Sequence, residues 1–130
     1  MATQNKFKNM PTEVEGYQFD SLGEAERYLD LKLMEQAGVI SDLVCDKKQL
    51  VFVLLPAFVD GDGEHQRSLT LTVDFTYVED GRKIAEDFKG IQTDVFKLKA
   101  KLFRWRFSNE WTLRITTARE LSGRRRSRYT

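Results

Sequence analysis

Two alternating stretches joined by a turn constrain the fold more than any other part of this chain. Residues 69–77 read LTLTVDFTY, in which every second residue is apolar. A period of two is typical of a β-strand with one face on the core. Residues 79–81, EDG, supply turn chemistry, and Gly81 can adopt a positive φ. Residues 83–90, KIAEDFKG, then predict an antiparallel partner strand.

Three charged side chains are expected to meet on this hairpin. Asp74 lies on the polar face of the first strand, and Asp87 and Lys89 share one face of the second. Two residues of strand rise separate Asp87 from Lys89 by about 6–7 Å. Glu86 precedes Asp87, but alternation places it on the opposite face. The residues alone also allow a surface Asp87–Lys89 ion pair with no chemical role.

A first helix is predicted to begin at Ser21, capped by Asp20 or Ser21, and to run to about Ala37, with Gly38 as its C′ residue. Its apolar stripe is Leu22, Ala25, Leu29 and Leu33, flanked by Tyr28 and Gln36. Glu24 stands in capping-box position, and spacing favours that role over a place above the sheet. Glu26 should face solvent.

A second helix is predicted from Thr93 or Asp94 to about Phe107. Its apolar side is Val95, Leu98, Leu102 and Trp105, widened by Phe96, Ala100, Phe103 and Phe107. Its basic side is Lys97, Lys99, Lys101 and Arg104. A wide apolar face with a basic back is most simply a core helix with a solvated side.

The remaining segments complete a series of helix, three strands, helix and strand. Residues 48–58 are nearly all apolar, which predicts a strand covered on both faces. Residues 111–116 alternate and predict the last strand, whereas residues 39–43 read as a short connection. The 60–67 segment, DGDGEHQR, lacks the EF-hand glycine and glutamate and is interpreted as a hairpin tip. Residues 1–16 are interpreted as an extended arm.

Length and composition indicate one globular domain of 130 residues, with 41% hydrophobic and 32% charged residues. No apolar run approaches the ~18 residues of a membrane span, so no membrane association is expected. The lone Cys45 cannot form an internal disulfide, which makes the cytoplasm the default location. Residues 122–130 form a tail with four arginines and no acid, so the rest of the chain carries a net negative charge.

The hairpin residues resemble a known signature. Asp74 followed by Asp87-Phe88-Lys89 is similar to the D…(D/E)xK motif of the PD-(D/E)xK nuclease superfamily, which includes restriction endonucleases and several Holliday-junction resolvases. The opening T-E-V-E-G…F-D-S-x-x-E-A and the K-G-x-x-T step after residue 89 also resemble a phage and prophage family of formerly unknown function, grouped with these nucleases. The resemblance covers roughly residues 5–105 and implies the αβββαβ core of the restriction-endonuclease-like fold, a mixed sheet flanked by helices.

This resemblance implies a function and a set of site residues. The expected activity is Mg²⁺- or Mn²⁺-dependent hydrolysis of DNA phosphodiesters, with selection of DNA by structure, such as branches or junctions. Asp74, Asp87, Glu24 and the carbonyl of Phe88 would hold the metal, and Lys89 would orient or deprotonate the attacking water. The same resemblance implies DNA-backbone contacts from the basic face of the second helix, at Lys97, Lys99 and Lys101. The arginine tail lies outside the resemblance, and its charge alone allows either a DNA contact through Arg124, Arg125 and Arg126 or a solvated terminal run.

The biological setting follows from the same resemblance. Resolvases of this fold generally act as dimers, so a homodimer in the cytoplasm of a phage-infected or prophage-carrying bacterium is implied. The competing hypothesis is a non-catalytic DNA-binding or accessory protein that keeps the nuclease fold. A domain that only binds other proteins is the third alternative.

Overall fold

The computed structural model describes residues 11–117. The arginine tail at Arg124, Arg125 and Arg126 lies outside this range, as do the first ten residues. The described residues form ten strands, two α-helices and one 3-10 turn. In chain order they are β1 (Thr12–Val14), β2 (Tyr17–Phe19), α1 (Leu22–Gln36), β3 (Ile40–Val44), the 3-10 turn (Lys47–Gln49), β4 (Val51–Leu55), β5 (Phe58–Val59), β6 (His65–Gln66), β7 (Leu69–Thr72), β8 (Phe75–Glu79), β9 (Arg82–Phe88), α2 (Asp94–Arg106) and β10 (Trp111–Thr116).

The central sheet has the order β10-β9-β8-β3. Strand β10 runs parallel to β9, whereas β8 is antiparallel to both of its neighbours. Neighbouring residues of β9 point to opposite faces: Ile84 packs with Tyr28 of α1, and Ala85 packs with Phe103 of α2. The two helices therefore cover opposite faces of the sheet, and the predicted mixed α/β class with a mixed, helix-flanked sheet is confirmed.

The predicted strand over residues 69–77 is broken in the middle. Strand β7 pairs with β4, whereas β8 pairs with β9 and β3. Between them, the N–H of Val73 donates to Leu50 O (3.1 Å), and the N–H of Asp74 donates to Glu86 O (3.0 Å). The prediction of one continuous strand was wrong because the chain changes partners here. Asp74 consequently lies where the chain passes from one sheet to the other.

The structure of the apolar segment 48–58 also differs from the prediction. It begins as the 3-10 turn, and β4 follows from Val51. Val51, Val53 and Leu55 are 48%, 40% and 45% exposed, so the strand is not covered on both faces. The reason is that β4 and β7 form a two-stranded sheet with only its inner face on the core.

Strand β3 was interpreted as a connection, yet it forms an edge of the central sheet. Its sequence, ISDLV, does not alternate regularly. Asp42 has a φ of 56°, and the pairing with β8 shifts between Ser41 and Val44. This irregularity explains why the pattern concealed the strand. In the series of helix, three strands, helix and strand, β3 takes the place predicted for residues 48–58.

The predicted helix ends are confirmed. Ser21 Oγ accepts a hydrogen bond from the N–H of Glu24, and Thr93 Oγ1 accepts one from the N–H of Phe96. Gly38 has a φ of 78°, the left-handed conformation that a C′ glycine adopts without strain.

The predicted apolar stripe of α1 faces the core only in part, through Ala25 and the flanking Tyr28. Leu22, Leu29 and Leu33 are 57%, 43% and 64% exposed. The buried residues are Glu24, Ala25, Arg27, Tyr28 and Leu31. The helix is turned so that two charged side chains point inward, and apolar spacing alone could not predict this orientation. Glu26 is exposed, as predicted.

Helix α2 buries only one of its two predicted apolar rows. Phe96, Ala100 and Phe103 are buried. Exposure to solvent is substantial for Val95, Leu98 and Trp105, at 64%, 59% and 75%. The aromatic row is preferred because Phe103 and Phe107 pack around the ring of Phe52 on β4.

The four remaining described strands form two hairpins. Strands β1 and β2 pair, so residues 12–14 belong to a hairpin and not to a free arm. Strands β5 and β6 also pair, which confirms that the 60–67 segment contains the tip of a hairpin. Asp60 accepts hydrogen bonds there from the N–H groups of Asp62 and Glu64. Neither α-helix of residues 11–117 has the length and hydropathy of a bilayer span.

Candidate active site

A polar cleft of about 440 Å³ opens where α1, the 3-10 turn and the end of β9 meet. Its lining includes all four side chains predicted to act together: Glu24, Asp74, Asp87 and Lys89. Phe88, whose carbonyl was expected to bind metal, also lines it. The structure therefore brings together residues that are up to 65 positions apart in the sequence.

The two aspartates are buried at the base of the cleft, 8% exposed for Asp74 and 2% for Asp87. Asp74 Oδ2 accepts a hydrogen bond of 2.7 Å from the N–H of Phe88. This bond ties the break between β7 and β8 to the end of β9, and it fixes one oxygen of Asp74 while the other faces the cleft.

Glu24 occupies the third position of α1, where its N–H donates to the N-cap hydroxyl of Ser21. Its Oε2 accepts a hydrogen bond of 3.1 Å from the N–H of Asp20, one residue before the N-cap partner that a capping box would use. Its other oxygen lies in the cleft and contributes to the electrostatics of Asp74. The capping position sets the carboxylate over the sheet, so the two interpretations do not exclude each other.

The pKa values of the three carboxyl groups are all raised, chiefly by burial. For Glu24, desolvation and the neighbouring Asp74 raise the pKa to about 7. For Asp74, desolvation and the charge of Asp87 raise the pKa to about 6. Burial likewise raises the pKa of Asp87, against the opposing effect of Lys89. Buried carboxylates this close repel each other, so they favour protons or a bound cation.

Lys89 closes one side of the cleft. Its Nζ lies 3.4 Å from Asp87 Oδ2 and 4.6 Å from the centre of the Phe96 ring. The aromatic face of α2 therefore supports the ammonium beside Asp87. The main chain at this point is fixed as well, because the N–H of Lys89 donates to Thr116 O of β10.

The neighbouring acid, Glu86, is directed away from the cleft. Both of its oxygens accept hydrogen bonds from Arg27, at 2.6 and 2.9 Å, on the α1 side of the sheet. Tyr77 and Thr116 donate to it as well. Glu86 is therefore a structural anchor, and Asp87 is the acid that strand alternation presents beside Lys89.

Lys47 is a member of the cleft that sequence analysis missed. Its Nζ lies 2.8 Å from Asp20 Oδ2, 3.1 Å from Glu24 Oε1 and 3.2 Å from Asp74 Oδ1. These carboxylates raise the pKa of Lys47 and keep it charged. No local signal marks this residue, because its place in the cleft depends on packing between distant segments.

The donor set fits a hard divalent cation, since such ions prefer carboxylate oxygens. Glu24 Oε1 and Asp87 Oδ2 are buried acceptors without a properly directed hydrogen bond, although ammonium groups lie 3.1 and 3.4 Å away. Over residues 11–117, no three acidic, His or Cys side chains already stand in coordinating positions. The Lys47 ammonium lies between two of the carboxylates, so ion binding would require side-chain movement.

The predicted DNA-contacting lysines lie on α2. Lys97 and Lys101 are exposed, and Lys99 is half-buried. Helix α2 contacts a cleft residue through Phe96 in its first turn, whose ring lies against Lys89. Arg124, Arg125 and Arg126 lie outside the described residues.

Comparison with known proteins identifies a family for most of the chain. A family model, DUF1064, described as "Protein of unknown function", matches residues 4–122. Neither the curated proteins nor the solved structures gave a match. Since the matched region covers nearly the whole chain, the protein belongs to the DUF1064 family.

Proposed function

We propose that this protein is a Mg²⁺- or Mn²⁺-dependent endodeoxyribonuclease of PD-(D/E)xK type that acts on branched or junction DNA in the bacterial cytoplasm. The observation that carries the proposal is the convergence of Glu24, Asp74, Asp87 and Lys89 in one cleft. The element series α1, β3, β8, β9, α2, β10, with β10 parallel to β9, supports a restriction-endonuclease-like core.

Each residue has a role that its position allows. Asp74, Asp87 and Glu24, with the carbonyl of Phe88, would hold the divalent cation, which would neutralise charge that develops on the scissile phosphate. Lys89 lies beside Asp87 and would orient the attacking water or accept its proton. Lys97 and Lys101 would bind the DNA backbone as phosphate contacts without sequence preference.

A second candidate function is supported by the position of Lys47. Its ammonium contacts three carboxylates and could make the cleft a purely structural ion-pair cluster. The protein would then bind DNA through α2 without cutting it.

DNA cleavage assays separate the two candidates. Branched and linear DNA would be incubated with the wild type and with Asp74→Asn, in Mg²⁺, in Mn²⁺ and in EDTA. A nuclease should cut only with metal, and Asp74→Asn should lose cutting but keep DNA binding. Metal-independent products, or equal cutting by both proteins, would refute the nuclease. Binding without cutting under all conditions would support the accessory protein.

A further inference from the structure

The 3-10 turn places the ammonium of Lys47 among the carboxylates of the cleft. The side chain of Asp46 accepts hydrogen bonds from Lys48 N and Gln49 Nε2, which stabilises the turn. Leu50, the residue directly after the turn, is fully buried in the core and so anchors the end of the turn. Lys47 is therefore held by a fixed segment of backbone and reaches the carboxylates from a defined direction.

Three contacts show that Lys47 is the cation around which these acids are arranged. Its Nζ is 2.8 Å from Asp20, 3.1 Å from Glu24 and 3.2 Å from Asp74. Glu24 and Asp74 are nearly fully buried, so their repulsion is weakly screened and a cation between them is strongly favoured. One lysine thus does for Glu24 and Asp74 what a divalent cation would do.

We propose that Lys47 is a built-in counter-ion that competes with the divalent cation for Glu24 and Asp74. This inference rests on the proposed function of the cleft. While the ammonium lies between these carboxylates, a second cation there meets both a like charge and an occupied space. Metal binding therefore requires the Lys47 side chain to leave, and the ion pairs it gives up lower the apparent metal affinity.

A neutral side chain at this position provides the first test. Calorimetric titration with Mn²⁺ would compare the wild type with Lys47→Met, and with Lys48→Met as the matched control. Lys48 follows in the same 3-10 turn and is exposed, so its variant changes the net charge equally. We expect Lys47→Met to bind Mn²⁺ about tenfold more tightly or better than the wild type, and Lys48→Met to bind much as the wild type does.

Thermal unfolding gives a second readout that does not depend on activity. Relative to EDTA, a given Mn²⁺ concentration should raise the Tm of Lys47→Met more than that of the wild type, because tighter binding to the folded state stabilises it further. Equal or weaker Mn²⁺ binding by Lys47→Met than by Lys48→Met would overturn the competition.

The wild-type protein provides a test that survives if Lys47→Met does not fold. Side-chain ammonium NMR would follow the Lys47 signal during a Mg²⁺ titration. Loss or a large shift of that signal as Mg²⁺ saturates the protein is expected, whereas an unchanged signal at saturation would refute displacement. Failure of the proposed function is distinguishable, because the folded wild type would then bind neither Mg²⁺ nor Mn²⁺ at all.

Discussion

At the residue scale, the fold holds three buried carboxyl groups close together in the cleft, where little water screens their mutual repulsion. Asp74 influences the pKa of both Glu24 and Asp87, so the three carboxyl groups act as one coupled site. Repulsion between buried carboxylates lowers the stability of the folded protein. The arrangement is useful for a protein that binds a cation, since the cation removes the repulsion.

Stability should therefore depend on pH in a defined direction when no metal is present. Folded Glu24 has a pKa of about 7 against an ordinary 4.5, so the folded protein binds this proton more tightly than the unfolded chain does. The resulting stabilisation is complete below pH 4.5 and is lost as the pH rises through about 7. Glu24→Gln, which cannot titrate, should give a flatter dependence of Tm on pH in EDTA. Parallel curves for the two proteins would contradict the raised pKa.

The buried pair of Arg27 and Glu86 makes a separate prediction about stability. Glu86→Ala leaves the Arg27 guanidinium buried without its carboxylate, which should cost about 3–5 kcal/mol of unfolding free energy. Denaturant unfolding would measure it. The control is Glu110→Ala, which removes an exposed ion pair with Lys83 and should cost less than about 1 kcal/mol. Similar losses in both variants would show that Glu86 is not the anchor.

At the element scale, the approach of α1 to the end of β9 sets the geometry of the cleft. Gly23 lies in the first turn of α1, and a Cβ there would be 2.8 Å from Cζ of Phe88. The absence of a side chain at this position lets the helix approach the strand that carries Asp87. The glycine weakens the helix as an isolated segment, but it leaves space for the Phe88 ring.

Substitution of this glycine should therefore destabilise the protein despite the better helix propensity of alanine. Gly23→Ala is expected to lose about 1–3 kcal/mol, because the Phe88 ring must move. Gly61→Ala, in the β5–β6 hairpin with open space around the site of its Cβ, should be nearly neutral. Chemical denaturation of both variants checks this, and a Gly23→Ala protein as stable as the wild type would show that the contact is easily relieved.

Sequence patterns could predict the elements better than their orientations. Alternation correctly placed Asp87 beside Lys89, and cap residues correctly placed both helix starts. Of the buried face of α1, Ala25 and Tyr28 were predicted. Apolar spacing could not predict the burial of Glu24 and Arg27, because their partners Lys47 and Glu86 lie far away in the sequence. Lys47 was missed for the same reason, since only tertiary packing brings it to Asp74.

At the scale of the whole molecule, α2 contacts the cleft through Phe96, whose ring lies against Lys89, and Lys97 and Lys101 of the same helix are exposed. DNA bound along α2 would therefore bring phosphates towards Lys89 and the carboxylates. Lys97→Glu and Lys101→Glu should each weaken DNA binding. Each should also reduce the slope of log affinity against log salt concentration by about the amount expected for one phosphate contact. Fluorescence anisotropy at several salt concentrations would measure both effects. Lys83→Glu, on the first half of β9, serves as the charge-matched control, and an equal loss in that variant would place the DNA elsewhere.

The central claim is that Glu24, Asp74 and Asp87 together bind a divalent cation, and calorimetric titration of the metal-free protein with Mn²⁺ tests it most directly. The account predicts saturable binding to the wild type and loss of that binding in Asp74→Asn, with both proteins folded. No Mn²⁺ binding by the folded wild type, or unchanged affinity in Asp74→Asn, would contradict it.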